Sequence, residues 1–258
     1  MLVALASAKG APGVTTTARV LASIWPSECV LVDADPAGGD AALLSRTPQH
    51  EPLDPERGLL SLAVAARRGA EQAPLAPHLQ LTEGGLGVLA GVSRPEQVAG
   101  MGPAWATIAE VLVAQPGAVV ADLGRLAAGS PVTPIVTAAD VLLFVVRPRV
   151  ESYAHLRERL SWTDWLAANG GGPPTGVLIV ADAKDRRAAP ELESLLAHSG
   201  LTTPVIGTVA WDERAASVVG GRLDRGIDRS LLVRSVRQLV EPIRSLASMR
   251  TSVRTGRA

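Results

Sequence analysis

Near its start the chain combines residue types that are suited to holding a phosphate group. Gly10 and Gly13 lie in a short loop of small residues that follows the apolar run Leu2–Ala8. Thr15 and Thr16 then open a pattern typical of a helix. This order of strand, glycine loop and helix predicts an anion site, because free backbone N–H groups and the positive end of the helix dipole converge there. The alternative is that the loop is an ordinary turn between a strand and a helix.

One position departs from the standard phosphate-binding loop, in which a lysine precedes the Ser/Thr that holds Mg²⁺. This chain has Val14 at the lysine position. Thr15 stands where the magnesium-binding hydroxyl would be, and Thr16 is placed to reach another phosphate oxygen. A lysine does occur earlier in the loop, at Lys9. The loop therefore keeps its glycines and hydroxyls, whereas its cation comes from a different position.

Acidic residues follow two later apolar runs. Asp33 and Asp35 end the run that starts at Cys29, and Asp122 ends the run that starts at Gly117. The carboxyl ends of parallel strands lie at one edge of an α/β sheet, where these folds bind ligands. A carboxylate at this edge can hold Mg²⁺ through water. We therefore expect the three acids to join the glycine loop, although the Asp-Pro-Ala-Gly-Gly stretch is also typical of a plain turn.

The elements that must position these residues alternate along the chain. Strands are predicted at residues 2–8, 29–35, 79–82, 86–90, 117–122, 140–146, 175–181 and 204–209. Helices are predicted from the glycine loop to about residue 25 and at 58–68, 103–115, 151–168, 191–198 and 230–249. The alternation predicts an α/β fold, with a doubly wound and mostly parallel sheet of about seven or eight strands and helices on both faces.

Composition narrows the class of protein. The chain has 258 residues and a formal net charge of +0, so no global basic field exists for non-specific nucleic-acid binding. We expect a single domain over residues 1–250 and a disordered basic tail over 251–258. The lone Cys29 excludes a disulfide framework and a cysteine-rich metal site. Since the first residues are already a core strand and no apolar run approaches ~18 residues, we expect a cytoplasmic protein.

Taken together, these motifs resemble the ParA/MinD family of P-loop ATPases, which belongs to the SIMIBI class. The deviant Walker A loop of that family reads K-G-G-x-G-K-[ST]-[ST]. Five positions match it, namely Lys9, Gly10, Gly13, Thr15 and Thr16, and two differ, Ala11 and Val14. The resemblance covers nearly the whole chain. It implies that ATP binds to Gly10, Ala11, Pro12, Gly13, Val14, Thr15 and Thr16, and that Lys9 crosses an ATP-bound homodimer to the partner's nucleotide.

The resemblance also implies roles for the acids. The segment from Asp33 to Asp40 resembles the family's switch I, which reads D-x-D-P-x-G. Asp35 would then position the attacking water, with Asp33 supporting it at the metal. Asp122 would be the Walker B acid that holds Mg²⁺ together with Thr15. The segment after Gly38 is closer to the pilus-assembly members CpaE and TadZ.

Two later positions correspond to the side of the family's site that binds the base. Asp182 stands near the family's adenine-reading asparagine, and an aspartate there could equally read the donors of guanine. Trp211 stands where relatives place a segment that walls the adenine. Arg147 and Arg149 flank Pro148, a position at which the family commonly has proline. These arginines are unusual for the family and could meet a phosphate, a partner or nothing.

The last predicted helix is apolar on one face, and six arginines follow residue 230. MinD relatives use a C-terminal amphipathic helix on membranes, and a basic amphipathic helix can do so. The favoured alternative is that this helix packs on the sheet, because Pro242 interrupts it and its apolar face begins too early for a free tail.

The resemblance implies an ATP- and Mg²⁺-dependent dimerising switch with weak or no hydrolysis. Such a switch positions a cargo, which could be DNA, pilus or secretion machinery, or a division site. The alternative is a pseudo-ATPase scaffold that acts through protein contacts, and Val14, Asp182 and Trp211 favour it. A ligase of the same superfamily is the third hypothesis, and no substrate motif supports it.

Overall fold

A computed structural model describes residues 1–10, 12–169, 171–222 and 226–255, with side chains described as far as residue 250. Within these residues the chain forms an eight-stranded sheet with helices packed on both faces. This confirms the predicted α/β class and the doubly wound architecture.

The sheet is parallel except at one edge. Its strands are β1 (Leu2–Ser7), β2 (Cys29–Asp33), β3 (Gln80–Leu81), β4 (Gly87–Leu89), β5 (Ala118–Arg125), β6 (Val141–Val146), β7 (Thr175–Ala181) and β8 (Val205–Ala210). Their spatial order is β3-β4-β2-β5-β1-β6-β7-β8, and only the β3–β4 pair is antiparallel. The carboxyl ends of the parallel strands therefore meet at one edge, as the sequence predicted for the acids and the glycine loop.

The helices are α1 (Val14–Ser23), α2 (Ala41–Leu44), α3 (Leu59–Ala66), α4 (Pro95–Ala99), α5 (Ala104–Ala114), α6 (Thr133–Ala138), α7 (Val150–Ala168), α8 (Ala188–His198), α9 (Glu213–Val219) and α10 (Leu231–Thr255). The sequence did not predict α2, α4, α6 and α9. These four helices have four to seven residues each. So short a helix contains too few apolar positions to show a 3.6-residue period.

Alternating side chains of the central strand β1 reach two separate cores. Leu2, Ala4 and Ala6 are buried with α3, α5, α6, α7 and α8 on one face. Val3 and Leu5 are buried with α1, α9 and α10 on the other face. A strand that is covered on both faces is continuously apolar, which is why this run is so clear in the sequence.

Helix α10 packs along the second face of the sheet. Leu232, Val236, Leu239 and Ile243 on its apolar face are all buried. Near its end, the Arg250 guanidinium donates to the backbone carbonyls of residues 137 and 139 beside α6. The structure therefore confirms the packing alternative for this helix rather than a free amphipathic segment.

The helix is also longer than predicted and extends to Thr255. The end of the predicted disordered tail, residues 256–258, lies outside the described residues. In the described part of the chain, no helix combines the length and the apolar character needed to cross a bilayer.

Candidate functional site

The glycine loop connects β1 to α1, and its backbone conformation requires its glycines. Gly10 has φ +73° and Gly13 has φ +108°, which lie in the left-handed region that favours glycine. The Gly13 carbonyl accepts from the Thr17 backbone N–H at 2.9 Å and from the Thr17 hydroxyl at 2.8 Å. The first turn of α1 thus begins directly at the loop, with its unpaired N–H groups at this end of the helix. Ala11 lies outside the described residues.

A pocket of about 510 Å³ opens at the carboxyl edge of the sheet beside this loop. The loop side of its wall includes the predicted contacts Gly10, Pro12, Gly13, Val14, Thr15 and Thr16. Another part of the wall comes from the ends of β7 and β8 and is formed by Val180, Val209, Ala210 and Trp211. A pocket of this volume is large enough for a small organic ligand such as a nucleotide.

Val14 is the first residue of α1 and contributes to the apolar core. Its side chain is only 6% exposed and packs in the second core while it also borders the pocket. The cationic residues that line the pocket in the described part of the chain are Arg125 and Arg147. Lys9 is exposed and lies outside the pocket lining. The positive charge of the pocket therefore comes from the ends of β5 and β6.

Asp33 and Asp122 lie side by side behind the pocket wall, as paired residues of β2 and β5. Both are almost fully buried, at 3% and 2% exposure. The Asp33 carboxylate accepts from the backbone N–H of Ala41 at 2.9 Å, and the Asp122 carboxylate accepts from that of Gly124 at 2.9 Å. The sheet therefore brings two predicted metal-binding acids to adjacent positions.

Burial and mutual repulsion change the protonation of this pair. Burial, with the charge of Asp122 added, raises the pKa of Asp33 to about 7. Burial also raises the pKa of Asp122 to about 6, while hydrogen bonds from the Thr15 hydroxyl and the Gly124 N–H oppose this rise. Arg19 is a cation close enough for the charges of Asp33 and Asp122 to act on it. Its guanidinium donates to the backbone carbonyl of Leu44 at 3.1 Å.

Asp35 lines the pocket directly and is half-buried. Its carboxylate accepts from the Ala37 N–H at 2.8 Å, and burial raises its pKa. The carboxyl group lies tightly against Gly124, where a Cβ atom would overlap it. Gly124 also has φ +58°. Glycine at this position thus allows Asp35 to approach the end of β5.

The hydroxyl and carboxylate oxygens at this end of the pocket are of the kind that Mg²⁺ prefers as ligands. Thr15 lines the pocket, and its hydroxyl lies close enough to Asp122 to oppose the rise in the pKa of that carboxyl, so a hydroxyl and a carboxylate are neighbours here. Mg²⁺ prefers oxygen ligands and retains several of its waters. The buried Asp122 carboxylate, which does not line the pocket, would therefore bind the ion through a water molecule. The described residues contain no group of three or more His, Cys, Asp or Glu side chains arranged to hold a metal ion by themselves.

Elsewhere in the pocket lining, the Arg147 guanidinium lies over the Trp211 ring, 4.1 Å from its centroid. Burial, followed by the charge of Arg149, lowers the pKa of Arg147. Asp182, which was predicted near the base, is exposed and does not line the pocket. Its carboxylate accepts from the Lys184 N–H at 2.8 Å within a turn. The structure thus brings Trp211 to the pocket and leaves Asp182 outside its wall.

Two charged lining residues, Arg125 and Asp212, had no role of their own in the sequence analysis. The Asp212 carboxylate accepts from the N–H of Ala215 at 3.0 Å and from that of Leu231 at 3.1 Å, so it joins the starts of α9 and α10. Arg125 is the last residue of β5. Their signal in the sequence was their position at or just after the end of a strand.

No protein-family model matches the chain, and no curated protein matches its sequence. Solved structures do match. A ParA family ATPase from Chlorobium tepidum has 15% identity and a TM-score of 0.74, covering 93% of this chain and 97% of its own. The septum site-determining protein MinD of Pyrococcus horikoshii, solved with Mg-ADP, has 16% identity and a TM-score of 0.66, with coverage of 96% and 98%.

An ATP complex of a single-residue variant of Cyanothece McdA has 16% identity and a TM-score of 0.65, with coverage of 96% of this chain and 95% of its own. Each match spans nearly the full length of both chains. The similarity therefore extends over the whole sheet and its helices. It establishes that the chain has the fold of these ATPases.

Proposed function

We propose that this chain, whose fold is that of the ParA/MinD-type ATPases, is a nucleotide-dependent dimerising switch. It binds ATP with Mg²⁺ in the pocket beside the glycine loop and acts in the cytoplasm. In the bound state two copies associate, and the dimer positions a cargo such as DNA, pilus or secretion machinery, or a division site. Hydrolysis is weak and serves to reset the switch.

The observation that carries this proposal is that Thr15, which lines the pocket, lies beside the buried Asp122. Thr15 belongs to the first turn of α1, whereas Asp122 belongs to β5, more than a hundred residues later. In P-loop NTPases a loop hydroxyl and a carboxylate at a strand end together hold the magnesium ion. The loop, the hydroxyl and the acid are assembled here in that relation.

Each part of the pocket then has a role in the proposed activity. The N–H groups of the glycine loop and of the first turn of α1 bind phosphate oxygens. Thr15 and Asp122 would hold Mg²⁺, which supplies positive charge to the phosphates. Asp35 lines the pocket and is placed to orient a water molecule. Lys9 is exposed beside the loop, so its ammonium group is accessible to a second copy of the chain.

The solved structures support nucleotide as the ligand class. The Pyrococcus MinD structure is a complex with Mg-ADP, and the Cyanothece McdA structure is a complex with ATP. Both share the fold of this chain over nearly its whole length. In this chain the pocket lies at the carboxyl edge of the sheet, where α/β folds bind ligands, which is consistent with the same class of ligand.

The second candidate function is a scaffold that has kept the fold without nucleotide turnover. It is favoured by Val14, which is buried in the core where the usual loop places a lysine against the phosphates. A charge-assisted hydrogen bond of that kind is worth roughly 1.5–3 kcal/mol. Its loss weakens nucleotide binding without preventing it.

Calorimetry and light scattering distinguish the two functions. The unchanged protein and Lys9→Ala are titrated with ATP and with GTP in the presence of Mg²⁺, and their mass in solution is then measured. The switch predicts nucleotide binding by both proteins and a nucleotide-dependent dimer that Lys9→Ala loses. If neither nucleotide binds at millimolar concentration, the switch is excluded and the scaffold remains. Arg149→Ala, at another exposed cation near the site, is the matched control and should still dimerise.

A further inference from the structure

Arg147 and Trp211 come from different strands but form one unit in the pocket. Arg147 directly follows β6 and Trp211 directly follows β8, with β7 between them in the sheet. The guanidinium lies 4.1 Å from the centroid of the indole ring, which is within the range of a cation–π interaction. Both residues line the pocket, and Trp211 remains 45% exposed. The pair therefore presents two flat groups at the pocket surface.

One donor of Arg147 has no partner in the described part of the chain. Its Nε atom is buried and makes no hydrogen bond there. Arginine carries only donors, so this N–H can be satisfied only by an acceptor. Because a buried donor without an acceptor is unfavourable, native proteins rarely leave one without a reason. The stacking on Trp211 holds this donor at a defined place beside the pocket.

The position of the pair indicates which part of a nucleotide it meets. The glycine loop and Thr15 form the polar half of the pocket, which suits phosphates. Val180 and Val209, with Trp211, form an apolar half at the ends of β7 and β8. Arg147 is stacked within this apolar half. A nucleobase is flat, has apolar faces and carries hydrogen-bond acceptors on its edge, so it is complementary to this half.

We propose that Arg147 is the base-reading residue of this pocket. Trp211 and the Arg147 guanidinium form the wall against which the base packs, and a guanidinium N–H of Arg147 other than the buried Nε–H donates to an acceptor on the base edge. The inference rests on the nucleotide binding proposed above and adds a specificity-determining residue to it. The competing role, a contact between Arg147 and a phosphate, gives a different result in the test.

The test compares a ligand that has a base with one that lacks it. Mg-ATP and Mg-tripolyphosphate are titrated by calorimetry into the unchanged protein, Arg147→Met and Arg147→Lys. We expect Arg147→Met to bind ATP at least about tenfold more weakly, since a stacking contact and a hydrogen bond from a charged donor are both lost. Tripolyphosphate affinity should be unchanged. Arg147→Lys should not restore ATP affinity, because a lysine lacks the planar guanidinium and its fork of N–H donors.

Two further variants guard against indirect effects. Arg149→Met removes an exposed arginine two positions away that does not line the pocket, and it should bind both ligands normally. Trp211→Leu removes the other half of the wall and should lose ATP affinity without losing tripolyphosphate affinity. Thermal unfolding of each variant establishes that it is folded at the temperature of the titration. If Arg147→Met does not fold, Arg147→Lys and Trp211→Leu still decide the question.

The outcomes separate this inference from the function on which it rests. An equal loss of ATP and tripolyphosphate affinity in Arg147→Met would assign Arg147 to the phosphates and overturn base reading. Unchanged ATP affinity in that variant would overturn the inference and leave the nucleotide switch in place. If the unchanged protein binds neither ligand, the proposed function fails and the inference fails with it.

Discussion

Asp33 and Asp122 face each other on adjacent parallel strands, and both carboxyl groups are buried at the edge where the glycine loop begins. The pairing is possible because β5 lies between β1 and β2 in the sheet. Two acids at these positions repel each other when both are charged, so at least one holds a proton at a pH where an exposed aspartate is ionised. A bound cation relieves this repulsion.

The pair makes stability depend on pH. The folded-state pKa values, about 7 for Asp33 and about 6 for Asp122, lie above the ordinary value of 3.8. Between about pH 4 and pH 7 the folded protein therefore binds more protons than the unfolded chain, and its free energy of unfolding falls as the pH rises. We expect Asp33→Asn to be more stable than the unchanged protein at pH 8, by on the order of 1–3 kcal/mol.

The measurement is urea unfolding in EDTA at pH 5 and at pH 8. The gain from Asp33→Asn should be smaller at pH 5, because most of the folded wild-type molecules are already protonated at Asp33 there. Asp182→Asn changes an exposed aspartate and should alter stability at neither pH. An equal gain from Asp33→Asn at both values would show that its effect is not due to the charge.

Thr15→Val removes the hydroxyl that joins the loop to Asp122 and keeps the shape of the side chain. We expect ATP affinity in the presence of Mg²⁺ to fall about tenfold, since one metal-binding hydroxyl is lost. Thr15→Ser keeps the hydroxyl and should bind nearly normally. Calorimetry with Mg²⁺ and with EDTA checks this. A loss of the same size in EDTA would exclude a role of Thr15 at the metal.

Val14→Lys tests whether the rest of the loop is intact. Val14 borders the pocket, so the apolar stem of a lysine can follow the buried wall while its ammonium group reaches the phosphates. We expect ATP affinity to rise about tenfold or more, in line with the roughly 1.5–3 kcal/mol of a charge-assisted contact. ATP hydrolysis should also increase. Val14→Met has a similar stem without the charge and should show neither gain, and a Val14→Lys protein without either gain would favour the scaffold.

Gly124→Ala should displace Asp35. Alanine at this position must adopt φ +58°, and its Cβ would overlap the Asp35 carboxyl group. We expect a loss of about 1–3 kcal/mol in the free energy of unfolding and a decrease in ATP hydrolysis. Gly84→Ala is the matched control, because a Cβ there would meet no atom within 4 Å. Urea unfolding and phosphate release test both variants, and equal stability of the two would show that Gly124 has room for a side chain.

The packing of α10 predicts how the C-terminal helix behaves. Ile243 is 0% exposed and Met249 is 59% exposed. Ile243→Ala should destabilise the protein by about 2–5 kcal/mol, whereas Met249→Ala should change stability by less than about 0.5 kcal/mol. The unchanged protein should not co-sediment with anionic vesicles, because the apolar face of α10 is already covered by the sheet. Strong co-sedimentation that Met249→Ala abolishes would contradict this.

Much of the fold could be predicted because its signals are local. The strands that become β1, β6 and β7 are uninterrupted apolar runs, and such runs are typical of strands covered on both faces. The glycine loop was recognisable because glycines and hydroxyls follow directly after the first of these runs. The short helices α2 and α9 were missed because four and seven residues show no clear period.

The order of residues along the chain was enough to predict that Thr15, Asp35 and Asp122 lie at one edge of a parallel sheet. The exact strand ends were not predicted, since β5 runs past Asp122 to Arg125. Which of these side chains meet depends on the three-dimensional arrangement of the strands. The contact between Thr15 and Asp122 depends on β5 lying next to β1, and the stacking of Arg147 on Trp211 spans the end of β7. Strand order follows from how all the helices pack on the two faces together. No local pattern of residues contains that information, and the part of the pocket formed by Arg147 and Trp211 was therefore the part that the sequence described least.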